Sequence, residues 1–212
     1  MATTVGAILT QVRRKILDED GGDFEDSELI QLYNNANKKI VSLRPQAYTR
    51  IEPVPLAPGN KQQIPSDGLA TINLTRNMGD DGLTPGRAVR MTDSATMTTM
   101  VPTYATDTAQ PEVEDWWPVM GYPEQFYVYP PNDGTGYVEV EMSKAPQQTL
   151  YDVGGNWQSE LSPFNDNYLD AQINGMLYMA YDDDTDIPGN TPRSALYFAR
   201  FMQSLGIGGP QQ

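Results

Sequence analysis

The chain holds 28 Asp and Glu residues but neither a histidine nor a cysteine. That inventory decides which chemistry is open. Without Cys there is no thiolate nucleophile, disulfide, zinc finger or Fe–S cluster. Without His the commonest general base and the commonest transition-metal ligand are missing. What remains is carboxylate chemistry: a hard cation held by oxygens, or a pair of acids working as in a glycosidase or a metal-dependent nuclease. The run DEDGGDFED, 18 to 26, is the first place to look for a calcium loop, and it fails in register. Asp18 and Asp20 would take positions one and three, but position five is Gly22, the turn glycine's place holds Asp23, and position twelve is Leu29 instead of Glu. The run DDDTD, 182 to 186, fails in the same way, with Ile187 for glycine and Arg193 for Glu. Both read as solvated acidic turns that favour the N-terminus of the next helix. No phosphate-binding loop, nucleophile elbow or dinucleotide fingerprint is present. No spacing marks out a carboxylate pair, so no catalytic residue, metal ligand or cofactor is expected.

The elements around these runs are more legible. Val5, Ile8, Leu9, Val12 and Ile16 fall at helical spacing over residues 3–17, with Thr3 or Thr4 as N-cap and Arg13, Arg14 and Lys15 at the C-terminal end. After Gly21-Gly22 a second helix starts near Asp26 or Ser27, carries Leu29, Leu32, Tyr33, Ala36, Ile40 and Leu43 on one face, and ends at Arg44-Pro45. From 46 to 160 the pattern turns to Pro, Gly and period-two alternation, which predicts short strands at 50–56, 61–65, 69–75, 87–92, 125–130 and 137–143. FYVYPPNDGTGYVEVEMSKAP, 126 to 146, reads as a β-hairpin about an Asn-Asp-Gly turn, with Val138, Val140 and Met142 on one face and Glu139 and Glu141 on the other. Ser162-Pro163 and Thr191-Pro192 each supply an N-cap and a first-turn proline, predicting helices over 163–182 and 192–205. In the last helix Phe198, Met202 and Leu205 form the expected core stripe, so Tyr197, Phe201 and Ile207 should be exposed unless another chain covers them. The fold class is therefore α+β: a four-helix bundle from 1–45 and 161–205, a large β-rich insertion from 46–160 between helices two and three, and a C-terminal tail, 206–212, that waves or docks.

Net charge is −14. The acid surplus sits mainly in the middle: residues 51–160 carry five basic and fifteen acidic residues, while 1–50 carry seven of each. Such a surface repels phosphate backbones, so a grip on nucleic acid is not expected, whereas a wall past which DNA slides without adhering is compatible with it. No apolar run is long enough to cross a bilayer. MATTVGAILTQVRRKIL places its positive charges after the apolar residues, unlike a secretory signal, so the mature chain is expected to start near Met1 in a cytoplasm. Trp116, Trp117, Tyr127 and Tyr129, beside prolines in a polar segment, fit either a local core or an interface, where such rings supply rigid apolar area.

RNMGDDGLTPGRAVR, 76 to 90, together with FYVYPP, 126 to 131, resembles a family of tailed-bacteriophage head-to-tail adaptor proteins. The opening ILTQVRRKILDEDGGDFEDSELIQLYNNANKKIVSLRPQAY and the ending SLGIGG are similar to that family too, with Glu25 standing where the family usually has Ser or Thr. The resemblance implies a non-enzymatic neck protein of the virion: a homo-oligomeric ring, usually a dodecamer, seated between the portal and the tail tube or nozzle. DNA would pass through it on ejection without specific binding. On that reading the last helix and the tail after it, with Tyr197, Phe201, Leu205 and Ile207, would meet the portal. The β-region, with Trp116, Trp117, Tyr127 and Tyr129, would meet the next tail protein. Another tail or nozzle subunit, and a carboxylate-dependent hydrolase, are the alternatives.

Overall fold

The computed structural model describes residues 3–183 and 189–207. Two compact units emerge: a helical one, built from the residues up to Ala47 and those from Pro146 onward, and a β-rich one, Tyr48–Ala145.

In the helical unit, α1 (Val5–Ile16) is started by Thr4, whose hydroxyl accepts from the Ala7 N–H, and it buries the Val5, Ile8, Leu9, Val12 stripe. It ends at Leu17, held left-handed at φ 65, the only described non-glycine residue with a positive φ. α2 (Asp26–Leu43) starts at Glu25, whose N–H donates to the Glu28 carboxylate at 3.0 Å, so glutamates do the capping expected of Ser or Thr. α4 (Leu169–Asp183) is the hub: α1, α2 and α5 (Asn190–Ser204) each pack on it. Ile173, Met176 and Leu177 join Val5, Ile8, Leu29 and Tyr33 in one core.

The expected closed four-helix bundle is therefore replaced by a hub arrangement, in which Trp157, from a short turn at Asn156–Ser159, occupies a core place beside α1. The third helix also starts later than Pro163. Ser162 is buried and spends its hydroxyl on Gln172 and on the Phe164 N–H instead of capping a long helix, and the 3₁₀ turn Asp166–Tyr168, capped by Asn165, intervenes. The last helix begins two residues before Pro192, after Gly189 at φ 99. Of the run 182–186, residues 184 to 186 lie outside the described residues, as do Ile187 and positions 208 to 212 of the tail.

The β unit contains β1 (Thr49–Pro55), β2 (Gly59–Gln63), β3 (Gly68–Asn77), β4 (Arg90–Met91), α3 (Ser94–Met100), β5 (Asp115–Val119), β6 (Tyr122–Asn132) and β7 (Tyr137–Lys144). One sheet runs β1-β7-β3 and the other β2-β6-β5-β4. Both contribute to a single core of Val54, Leu74, Trp116, Phe126, Val128, Val140 and neighbours. The expected hairpin across residues 133–136 is not a paired hairpin: β6 and β7 belong to different sheets, and the chain crosses between them there. Pro130 and Pro131 carry no N–H with which to extend a ladder. Asn132 instead donates its side-chain amide to the carbonyls of Gln110 and Pro111, which anchors the corner. The expected alternation is present, since Val138, Val140 and Met142 are buried while Glu139 and Glu141 are only partly covered. The unit's first and last residues lie across from one another: the Lys144 N–H donates to the Tyr48 carbonyl, and Thr49 pairs with Ser143.

Candidate docking surfaces

The most specific sequence signature of the β unit is a folding device. At the end of β3, Asn77 is buried and its amide donates to the carbonyls of Arg87 at 3.0 Å and Val113 at 2.8 Å, while its oxygen accepts the Val113 N–H at 2.9 Å. The side chain thus joins three stretches of backbone that no continuous ladder connects. The loop between them is set by Asp81, which accepts from the N–H groups of Leu83 and Thr84 and from the Thr84 hydroxyl, with Gly79 and Gly82 left-handed on either side. Those backbone donors hold the Asp81 carboxyl below the usual range. Gly86 then returns its N–H to the Asn77 carbonyl at 2.7 Å. The Arg-Asn-Met-Gly and Thr-Pro-Gly-Arg turns are the two sides of this corner.

The acidic run after α1 is built in the same manner. Asp18 is buried, and its carboxylate accepts from the N–H groups of Gly22, Asp23 and Phe24 at 2.7, 3.0 and 3.1 Å. Arg13 holds Asp18 at 2.7 Å and Asp26 at 2.6 Å, and donates to the Phe24 carbonyl. Burial pushes the Asp18 carboxyl up, but the three backbone donors and the Arg13 charge outweigh it, so it lies below its ordinary value. Among the described residues no cluster of three or more carboxylates is placed to hold a metal ion.

The aromatic residues expected at partner contacts divide by depth. Trp116 and Trp117 are buried: Trp116 meets Phe126 edge-on, and Trp117 stacks on Tyr127 at 5.5 Å and meets Tyr104 edge-on. Tyr127 and Tyr129 are half-buried. Tyr129 donates its hydroxyl to Asp107 at 3.0 Å, and that bond raises the phenol's pKa. On α5 the two phenylalanines exchange their expected places, while Leu205 is buried as expected. Phe201, expected outside, is fully buried, whereas Phe198, expected in the core, is 40% exposed. The reason lies on α4: a side chain added at Gly175 would come within 3.2 Å of the Phe201 ring and of Ala36, so the missing Cβ makes the slot that Phe201 fills. Leu205 is buried with it, while Tyr197 and Ile207 are half-buried. Tyr197 stacks on Tyr181 at 5.7 Å, and the Arg193 and Arg200 guanidinia stand over Tyr181 and Tyr197, each 5.5 Å from the ring centre.

What each unit offers a partner is a different set. On the helical unit it includes Leu17 after α1, Leu150, Val153 and Leu161 before α4, and Leu196 on the outward side of α5, with the half-covered Phe198 ring against Tyr178. On the β unit it is the turn joining β5 to β6, where Met120 is 91% exposed beside Tyr122, and a shallow cleft of about 330 Å³ lined by Arg90, Met91, Met97, Met100, Asp115 and Tyr129. Sequence reasoning singles out only Tyr129 among these and expects Phe198 in the core. The one available signal is Met120-Gly121, a two-residue turn at φ 83 between Trp117 and Tyr122. Glu139 is not a free wall charge, being hydrogen-bonded by the Thr75 hydroxyl at 2.6 Å and paired with Arg76 at 3.2 Å. Among the described residues no helix is long and apolar enough to cross a membrane.

Residues 3–212 match the family model described as SU10 adaptor protein. No curated protein matches the chain.

Proposed function

The chain belongs to the SU10 adaptor protein family, a family of phage head-to-tail adaptors and hence structural proteins of the virion, and on that premise we propose that it forms a homo-oligomeric ring in the neck, between the portal and the tail tube or nozzle. The observation that carries this is the extent of the match, which takes in both the helical and the β unit, so the whole chain works as an adaptor. In the ring, a dodecamer by resemblance, the helical unit meets the portal through α5 and the C-terminal tail. The β unit meets the next tail protein. Phe201 and Leu205 act from behind, setting the position of α5, while Tyr197 and Ile207 reach the surface. Likewise Trp116 and Trp117 stiffen the sheet that presents Tyr127, Tyr129 and the Met120 turn. The acid surplus over residues 51–160 supports a conduit that packaged DNA traverses without sticking.

The test is electron microscopy of the purified protein mixed with its portal. A ring capping the portal, lost when the chain is truncated after Leu205 while the subunit stays folded, is the expected result. Truncated protein that still caps the portal removes the assignment of that contact. Absence of any complex from the full chain removes the adaptor reading of the portal side.

A further inference from the structure

Among the described residues, the one bulky side chain on left-handed backbone is also one of the most exposed apolar groups. Leu17 sits at the C-cap of α1 at φ 65 and ψ 32 and is 86% exposed. A glycine there would adopt this geometry freely, and a residue with a Cβ is penalised for it. Within its own subunit the leucine side chain gains almost nothing in return, because solvent covers it. The left-handed turn closes the cap, since the N–H groups of Leu17 and Asp18 both reach the Arg13 carbonyl. Glycine would serve that purpose without penalty, so a leucine kept there in solvent points to something outside the subunit that uses its side chain.

Its surroundings say what that something is. The corner behind Leu17 is rigid, since the Asp18 carboxylate gathers three backbone N–H groups and Arg13 clamps Asp18 to Asp26. The knob is therefore held in place before it binds, which lowers the cost of docking. Beside it Glu19, Asp20 and Asp23 are all exposed, and Arg14 approaches Glu19 no closer than 4.0 Å. The three acids after the knob outnumber the exposed Arg14 and Lys15 before it, so its acidic flank calls for an apolar surface with a basic edge.

The same chain carries one. The outward side of α5 exposes Leu196 with Ala195 and Ala199, while Phe198 lies at its inner edge against Tyr178, and the helix has two arginines and no acidic residue. Arg193 and Arg200 are propped on tyrosine rings, and among the described residues neither makes an ion pair with a carboxylate. We propose that the α1–α2 corner of one subunit, led by Leu17, docks on the outward face of α5 of a second copy of this chain. Because knob and face are different surfaces, the contact is head-to-tail, the kind that yields a ring when its rotation closes. It rests on the homo-oligomer part of the function proposed above.

The full-length protein is followed by sedimentation velocity across a concentration series, with thermal melting as the control for folding. Leu17→Gly relieves the backbone penalty, so its melting temperature should equal or exceed that of the wild type while self-association weakens at least tenfold. Arg200→Glu should weaken association as well, and Arg200→Glu combined with Glu19→Arg should recover most of it. Leu17→Gly that associates within twofold of the wild type overturns the contact, even if rings still form, in which case the ring reading stands alone. Failure of the charge swap to restore any association also overturns it. Wild-type protein that stays monomeric at its highest soluble concentration overturns both this contact and the ring.

Discussion

Replacing Asn77 by alanine should unfold the β unit at temperatures the wild type withstands, and the size of the effect comes from three hydrogen bonds. The Arg87 carbonyl keeps a partner, because the Asn77 backbone N–H also donates to it. The N–H and carbonyl of Val113 lose theirs, and Val113 is fully buried. Each orphaned buried group costs about 1–3 kcal/mol, so the loss is about 4 kcal/mol. For a domain the size of Tyr48–Ala145 this corresponds to a fall in Tm of about 15–30 °C. Circular dichroism or calorimetry reads the β unit's transition directly. The isosteric Asn77→Asp separates hydrogen bonding from packing: the carboxylate keeps the shape and an acceptor for Val113 but faces the Val113 and Arg87 carbonyls with no donor. Acidification restores an O–H donor, so the deficit of Asn77→Asp should shrink as pH falls. Both variants melting with less than about 0.5 kcal/mol of lost stability would refute the assignment of Asn77 as the strut of this corner.

Other sites give further expectations. Asp18→Ala leaves the nearly buried Arg13 without one of its two carboxylates and orphans three N–H groups, so urea titration of the helical unit should show a loss of about 3–5 kcal/mol. Since the folded Asp18 carboxyl lies below its ordinary value, its contribution is complete above about pH 4 and fades as pH falls through the folded pKa; a variant whose acid-induced loss matches the wild type's contradicts this. Gly136→Ala would set a Cβ 2.0 Å from the Pro111 carbonyl oxygen and 2.7 Å from the Asn132 amide nitrogen, forcing the β6–β7 corner apart at a cost above about 4 kcal/mol. Gly121→Ala, with open space around it, should lose only about 1–2 kcal/mol from its positive φ, and equal losses at the two glycines would show the corner to be slack.

The parts of the fold legible in the sequence are those with one apolar face. α1 and α2 each bury a single stripe, so period and caps place them within a residue or two. α5 carries apolar side chains on two sides, and no pattern within the helix tells Phe198 from Phe201. The choice is made by Gly175 on another helix, a tertiary fact that periodicity does not encode. The short helix α3, SATMTTM, buries only Met97 and so carries no stripe to detect. β4 is expected over six residues and forms over two, and its partner β5 is not expected at all, because in sequence it looks like an aromatic cluster instead of a strand. The hairpin reading fails because alternation reports which face is buried and not which strand lies alongside. For the docking surfaces the limit is sharper: aromatic residues beside prolines look the same whether they serve an interior or an interface, and Trp116 and Trp117 serve an interior. Leu17 and Met120, at a helix cap and a turn, belong to no stripe at all.

The hydrogen bond from Lys144 to Tyr48 makes the β unit a cassette. Facing residues in an antiparallel pair stand about 5 Å apart, so its entry and exit share one doorway. Any folded module with similarly adjacent ends could be spliced into that doorway, and a bridge of a few residues could seal it, leaving the helical scaffold's chain path unbroken. A lineage of such proteins can therefore exchange one unit without redesigning the other.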